Sequence, residues 1–149
     1  MVPPTVIIFR LNALIEAEIA AEDAGISDQY ALFSRAKGAV ALGQWQRAKK
    51  LATQAFEQNS DNPGRAAAFC SILRQIGCPD EALTIAERFS ASTYVPILTS
   101  RAVALCDLGR LNEALRQITQ VLALKPDDEL ALLVLGRIKS HAPHLFEKT

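Results

Sequence analysis

The residues of this sequence best suited to chemistry are Cys70, Cys78 and Cys106, the pair His141 and His144, and carboxylate pairs such as Glu16/Glu18 and Asp127/Asp128. Two histidines three positions apart can share a helix face and approach one metal ion. Here no cysteine or carboxylate stands beside them to complete a ligand set, and Pro143 lies between them, so a solvated tail is expected. Cys70 and Cys106 fall on helical core phases and read as small buried hydrophobes. Cys78 sits in a turn, and no histidine lies near it in sequence to generate a thiolate. The acidic pairs read as helix caps or solvated faces. No phosphate loop, dinucleotide-binding glycine pattern or nucleophile elbow occurs. The sequence therefore offers no catalytic residue, no metal site and no cofactor site, and the expectation is a protein that is not an enzyme.

Composition narrows the class. Half of the 149 residues are hydrophobic but only 6% are aromatic, with alanine and leucine dominant. Those two residues lose little freedom on entering a helix, whereas a sandwich of strands would want more β-branched and aromatic side chains. Lysines and arginines total 16, as do aspartates and glutamates, so the formal net charge is zero. Without a basic excess neither nucleic acid nor a membrane surface is an expected partner. The odd cysteine count suits a reducing compartment. The apolar run near the amino terminus is too short to span a bilayer and has no basic flank before it, so a cytoplasmic protein is expected.

These side chains are placed by an internal repeat. LGQWQRAKKLATQAF from Leu42, IGCPDEALTIAERF from Ile76 and LGRLNEALRQITQVL from Leu108 share one pattern. Gly43, Gly77 and Gly109 step by 34 and 32 residues, and Ala48, Ala82 and Ala114 keep the same steps. A glycine after a helical pattern supplies the left-handed residue that ends a helix. The alanines come one turn into the next helix, where a small side chain lets two helices approach closely. Ser60-Asp61-Asn62-Pro63 and Lys125-Pro126-Asp127-Asp128-Glu129 supply stop-and-restart chemistry, while Ser90-Ala91-Ser92-Thr93-Tyr94 lacks proline and accounts for the shorter second copy. The pattern predicts helices at about 5–24, 28–42, 45–58, 63–76, 79–91, 94–108, 111–124 and 127–140.

Between Gln29 and Asp128 the sequence resembles the tetratricopeptide repeat, on the strength of Trp45, Ala48, Ala55, Ala82, Ala114 and Pro126. The resemblance departs in the first helices, where the family often places Leu-Gly. Here those sites hold Arg35-Ala36, Phe69-Cys70 and Arg101-Ala102, and only Leu135-Gly136 reproduces the pair. It implies an all-α, right-handed solenoid of about three helical hairpins forming one domain over 1–149. An amino-terminal capping helix covers 5–24, the repeats 29–62, 63–94 and 95–128, a carboxy-terminal capping helix 129–140, and a tail 141–149. Ile8, Leu11, Ile15 and Ile19 have the spacing for packing the first helix on the stack.

The resemblance also implies a concave face lined by the first helices. It places Tyr30, Phe33, Lys37 and Val40 there from copy one, Ala67, Ser71, Arg74 and Gln75 from copy two, and Thr99, Val103 and Cys106 from copy three. Tyr30 and Phe33 are the expected aromatic anchors for a protein or peptide partner. The family's lysine-rich carboxylate clamp is not expected, because its sites hold Phe33, Lys37, Thr99 and Val103. Leu130 and Leu133 of the last helix exceed what one packing contact needs, so the tail, a second copy or a partner must cover them. The functions implied are an adaptor, scaffold or chaperone module. Alternatives are a self-associating assembly protein and a chaperone of the kind that serves bacterial type III secretion.

Overall fold

The computed structural model describes residues 3–147, excepting the side chains of residues 6–11. Among the described residues there are eight α-helices and no strand: α1 Pro4–Ala24, α2 Gln29–Ala41, α3 Trp45–Glu57, α4 Pro63–Gln75, α5 Pro79–Glu87, α6 Val95–Asp107, α7 Leu111–Leu124 and α8 Glu129–His141. A 3-10 turn at Pro143–Phe146 follows. The chain is an all-α helical-repeat solenoid. The hairpins are α2/α3, α4/α5 and α6/α7, and each second helix also packs on the next first helix.

The turns inside the hairpins share one construction. Gly43, Gly77 and Gly109 have φ of 72°, 84° and 75°, the left-handed region that glycine enters without strain. Just beyond each glycine a backbone N–H reaches back into the closing turn of the helix: Gln44 to Ala39 at 2.9 Å, Cys78 to Leu73 at 2.8 Å and Arg110 to Leu105 at 2.9 Å. Each bond gives a partner to a carbonyl in the last turn of the helix.

Helix starts follow the same phase. Asp28, Asn62 and Asp128 each accept from the amide three residues on, at 2.8, 3.1 and 2.9 Å. Tyr94 holds the corresponding position before α6 and makes no side-chain cap. There Ser92 Oγ instead accepts from the Tyr94 amide at 3.0 Å. The irregular second copy also ends α5 at Glu87, four residues earlier than the periodicity predicts. The amides of Arg88, Phe89 and Ser90 bond three residues back rather than four, which tightens the chain into a turn.

One apolar core runs from Leu32 to Ile138. Ala48, Ala82 and Ala114 are fully buried in the hairpin seams, as the repeat pattern requires. Phe56 of α3 stacks on Phe69 of α4 with centroids 4.8 Å apart, joining the first hairpin to the second. The arginines at the family's leucine site have their own role. Arg35 reaches Asp23 of α1 at 3.3 Å and Arg101 reaches Glu87 of α5 at 3.8 Å. Each pairs with a carboxylate on the helix that precedes its own in the chain.

The amino-terminal cap departs from expectation. Ile15 is exposed and Ile19 only half-buried, while the side chains of Ile8 and Leu11 lie outside the described residues. Contact is made by charge at the far end of α1, where Asp23 accepts from Arg47 of α3 at 2.7 Å. An open cleft of about 720 Å³ separates the helices, bordered by Ile19, Ala20, Trp45, Arg47 and Leu51. Helical spacing of apolar residues made α1 amphipathic on paper, but apolar residues on its other faces leave no single stripe to dock.

Candidate peptide-binding face

Three successive first helices, α4, α6 and α8, meet at one carboxylate. Arg74 Nε donates to Asp107 Oδ2 at 2.6 Å, and Arg137 donates to Asp107 Oδ1 at 2.9 Å. Burial opposes ionisation of Asp107, but hydrogen bonds and charge from Arg74 and Arg137 outweigh it and hold the carboxyl below its ordinary range. The first helices therefore lie side by side with equivalent phases facing the same way. Counting those phases onward by the repeat step, Tyr30 corresponds to Gly64, Pro96 and Leu130, and Phe33 corresponds to Ala67, Thr99 and Leu133. Lys37 corresponds to Ser71, Val103 and Arg137.

Exposure along these rows is uneven. Tyr30 is 72% exposed, and the Arg65 guanidinium of α4 lies 4.5 Å above its ring centroid. Lys37, Ser71 and Gln75 are exposed, Arg74, Val40 and Ala67 are half-buried, and Gln75 Nε2 donates to Ser71 Oγ at 3.1 Å. Phe33 is only 7% exposed, and Thr99, Val103 and Cys106 are equally well covered. This corrects the expectation that Phe33, Thr99 and Val103 present binding surface. Neighbouring first helices approach closely enough to cover side chains that a single helix would leave open. Phe33 belongs to the core, and the Thr99 hydroxyl donates to the Val95 carbonyl at 3.0 Å.

Leu130 and Leu133 are exposed, Leu133 to 71%, and they occupy the phases of Tyr30 and Phe33. They extend the same rows onto α8. The described tail residues do not cover them. It folds back on the other end of α8, with Ala142 buried, Leu145 packed on the core and Lys139 Nζ 5.2 Å above the Phe146 ring. Arg65, Asp107 and Arg137 were missed as members of this face. Continuing the repeat count into 129–141 finds Leu130, Leu133 and Arg137, whereas the pairing of Arg65 with Tyr30 depends on how α2 sits beside α4.

The residues with chemical potential stay apart. His141 is exposed with Nδ1 2.8 Å from the Arg137 carbonyl oxygen, and no group of three or more potential metal ligands forms among the described residues. Cys70 is fully buried, its Sγ 3.3 Å from the Ala82 carbonyl oxygen, and burial pushes its thiol up to about 12. Cys78 is half-buried. No helix among the described residues is long and apolar enough to cross a membrane.

No protein-family model and no curated protein matches the chain. Solved structures do. The Sgt2 TPR domain from Aspergillus fumigatus superposes with a TM-score of 0.68 at 17% identity, over 83% of this chain and 87% of that one. The Arabidopsis OM64 TPR domain gives 0.63 at 20% identity, over 76% and 95%. The second TPR domain of human RPAP3, in complex with the HSP70 peptide SGPTIEEVD, gives 0.59 at 26% identity, over 71% and 90%. Shared turn construction, buried hairpin alanines and these superpositions agree: the chain has the tetratricopeptide-repeat fold.

Proposed function

We propose that this protein is an interaction module whose concave face holds a peptide segment of another protein, in an adaptor or chaperone role. The observation that carries the reading is the row of exposed side chains on the first helices. It runs from Tyr30 under Arg65, past Lys37, Ser71 and Gln75 with the half-buried Arg74 among them, to Leu130 and Leu133. Aromatic and leucine side chains at the two ends give apolar anchorage, and the polar middle gives hydrogen bonds that fix register. The human RPAP3 domain in the comparison carries an HSP70 peptide, and the first TPR of Spaghetti (RPAP3) carries the HSP90 peptide SRMEEVD. Those complexes support a peptide ligand here.

The ligand favoured by this face differs from an acidic chain end. Of Phe33, Lys37, Thr99 and Val103, only Lys37 offers a cation, and the nearby Arg74 and Arg137 are already paired with Asp107. A segment with apolar side chains near both its ends fits better. A fluorescence-anisotropy screen of peptides of that kind tests the reading. Hits should weaken at least tenfold, about 1.4 kcal/mol, with Tyr30→Ala and with Leu133→Asp, and should keep their affinity with Glu57→Ala on the second-helix side. Equal loss in all three variants, or in none, overturns the assignment of the face.

A further inference from the structure

Helix α8 packs within the chain on α6, α7 and the 3-10 turn that follows it. Ala131, Val134 and Ile138 are its buried residues. The opposite side carries Glu129, Leu132, Gly136 and Lys139, spaced by three, four and three residues, which is the spacing of a coiled-coil seam. All four are exposed, Leu132 to 47%, and a side chain at Gly136 would meet no atom within 4 Å. The leucines of the peptide row lie on another side. Leu133 is about 100° round the helix from Leu132, and Leu130 about 160°.

This stripe is not built to receive one more second helix. At the phase of Lys139 the internal first helices carry Ala39, Leu73 and Leu105, all fully buried. Continuing the hairpin seam would bury an ammonium where the internal copies bury hydrocarbon. What the stripe matches is itself. Leu132 and Gly136 lie two residues either side of Val134, and Glu129 and Lys139 lie five either side. A single two-fold axis at the level of Val134 therefore sets leucine against glycine and carboxylate against ammonium in one antiparallel register.

We propose that α8 of one copy packs antiparallel on α8 of a second copy, forming a two-fold dimer. Leu132 of each copy seats over Gly136 of the other, where the missing Cβ lets the two backbones approach. Glu129 of each copy meets Lys139 of the other, once at either end of the seam. Among the described residues neither Glu129 nor Lys139 joins an ion pair within the chain; the pairs nearby are Lys125 with Asp128 and Arg137 with Asp107. Lys139 Nζ lies 5.2 Å above the Phe146 ring and keeps N–H donors for a carboxylate. The contact is isologous and closes at two chains. Two 13-residue helices make a small interface, near the low end of specific contacts at about 1,200 Å², so the dimer forms reversibly with concentration.

The test is sedimentation of the full chain at low ionic strength, from about 1 μM to about 1 mM. It compares the wild type with Leu132→Glu, Glu129→Lys, Lys139→Glu and an equimolar mixture of the last two. All three side chains are exposed, so each variant should keep the wild-type helical spectrum. The wild type should pass from monomer to dimer and no further, and Leu132→Glu should stay monomeric. Glu129→Lys and Lys139→Glu each set like charges opposite one another twice, so each alone should associate at least about tenfold more weakly than the wild type. Their mixture should recover the wild-type affinity as a heterodimer, because each copy supplies the charges the other lacks. A wild type that stays monomeric throughout overturns the proposal, as does one that assembles beyond a dimer. So does a Leu132→Glu variant that still dimerises, or a mixture that associates no more tightly than its components alone.

Discussion

Arg74 and Asp107 meet at 2.6 Å across the boundary between α4 and α6, and the same carboxylate carries Arg137 of α8 on its other oxygen. The arrangement ties α4, α6 and α8 together. Replacing Asp107 by Asn removes the charge and leaves two guanidinium groups facing each other. The expected loss is about 1 kcal/mol in urea denaturation, with the helical content of the folded state unchanged.

Acid should act through the same kind of pair. Hydrogen bonds from Arg47 lower the Asp23 carboxyl, and Arg74 with Arg137 lower Asp107 against the opposing effect of burial. A depressed carboxylate contributes stability that is fully present above its unfolded value, near about 3.9. That contribution disappears as pH falls through the lower folded value. Thermal stability should therefore drop below about pH 4 in the wild type and more shallowly in Asp23→Asn, as followed by circular dichroism.

The two aromatic residues first read as anchors should separate cleanly. Phe33→Ala opens a cavity in the core and should cost about 3–5 kcal/mol. Tyr30→Ala removes an exposed ring and one cation–π contact, worth about 0.5–1 kcal/mol. Equal destabilisation by the two would contradict their opposite burial.

Two glycines make a backbone contrast. Gly77 has φ of 84° with open space around a prospective Cβ, so Gly77→Ala is penalised by conformation alone, by about 1–2 kcal/mol. Gly136 is helical and equally open, so Gly136→Ala should gain about 0.5–1 kcal/mol. Paired thermal melts read both signs.

Thiol reactivity should follow burial. Cys70 and Cys106 are buried, and burial raises both thiols, Cys70 to about 12. At neutral pH a disulfide reagent should modify Cys78 alone in the folded chain and all three cysteines in denaturant, counted by mass spectrometry.

The hairpins were legible before any coordinates because their signals are local. A glycine at Gly43, Gly77 or Gly109 ends a helix by its own backbone freedom, and Ala48, Ala82 or Ala114 marks a close crossing a few residues later. Capping at Asp28, Asn62 and Asp128 likewise depends on an amide three positions away. What the folded stack alone decided is coverage. Phe33, Thr99 and Val103 share a helix face with Tyr30 and Lys37, yet neighbouring first helices bury the former and leave the latter open. Residues far apart in sequence set that distinction, and helical spacing carries no information about it.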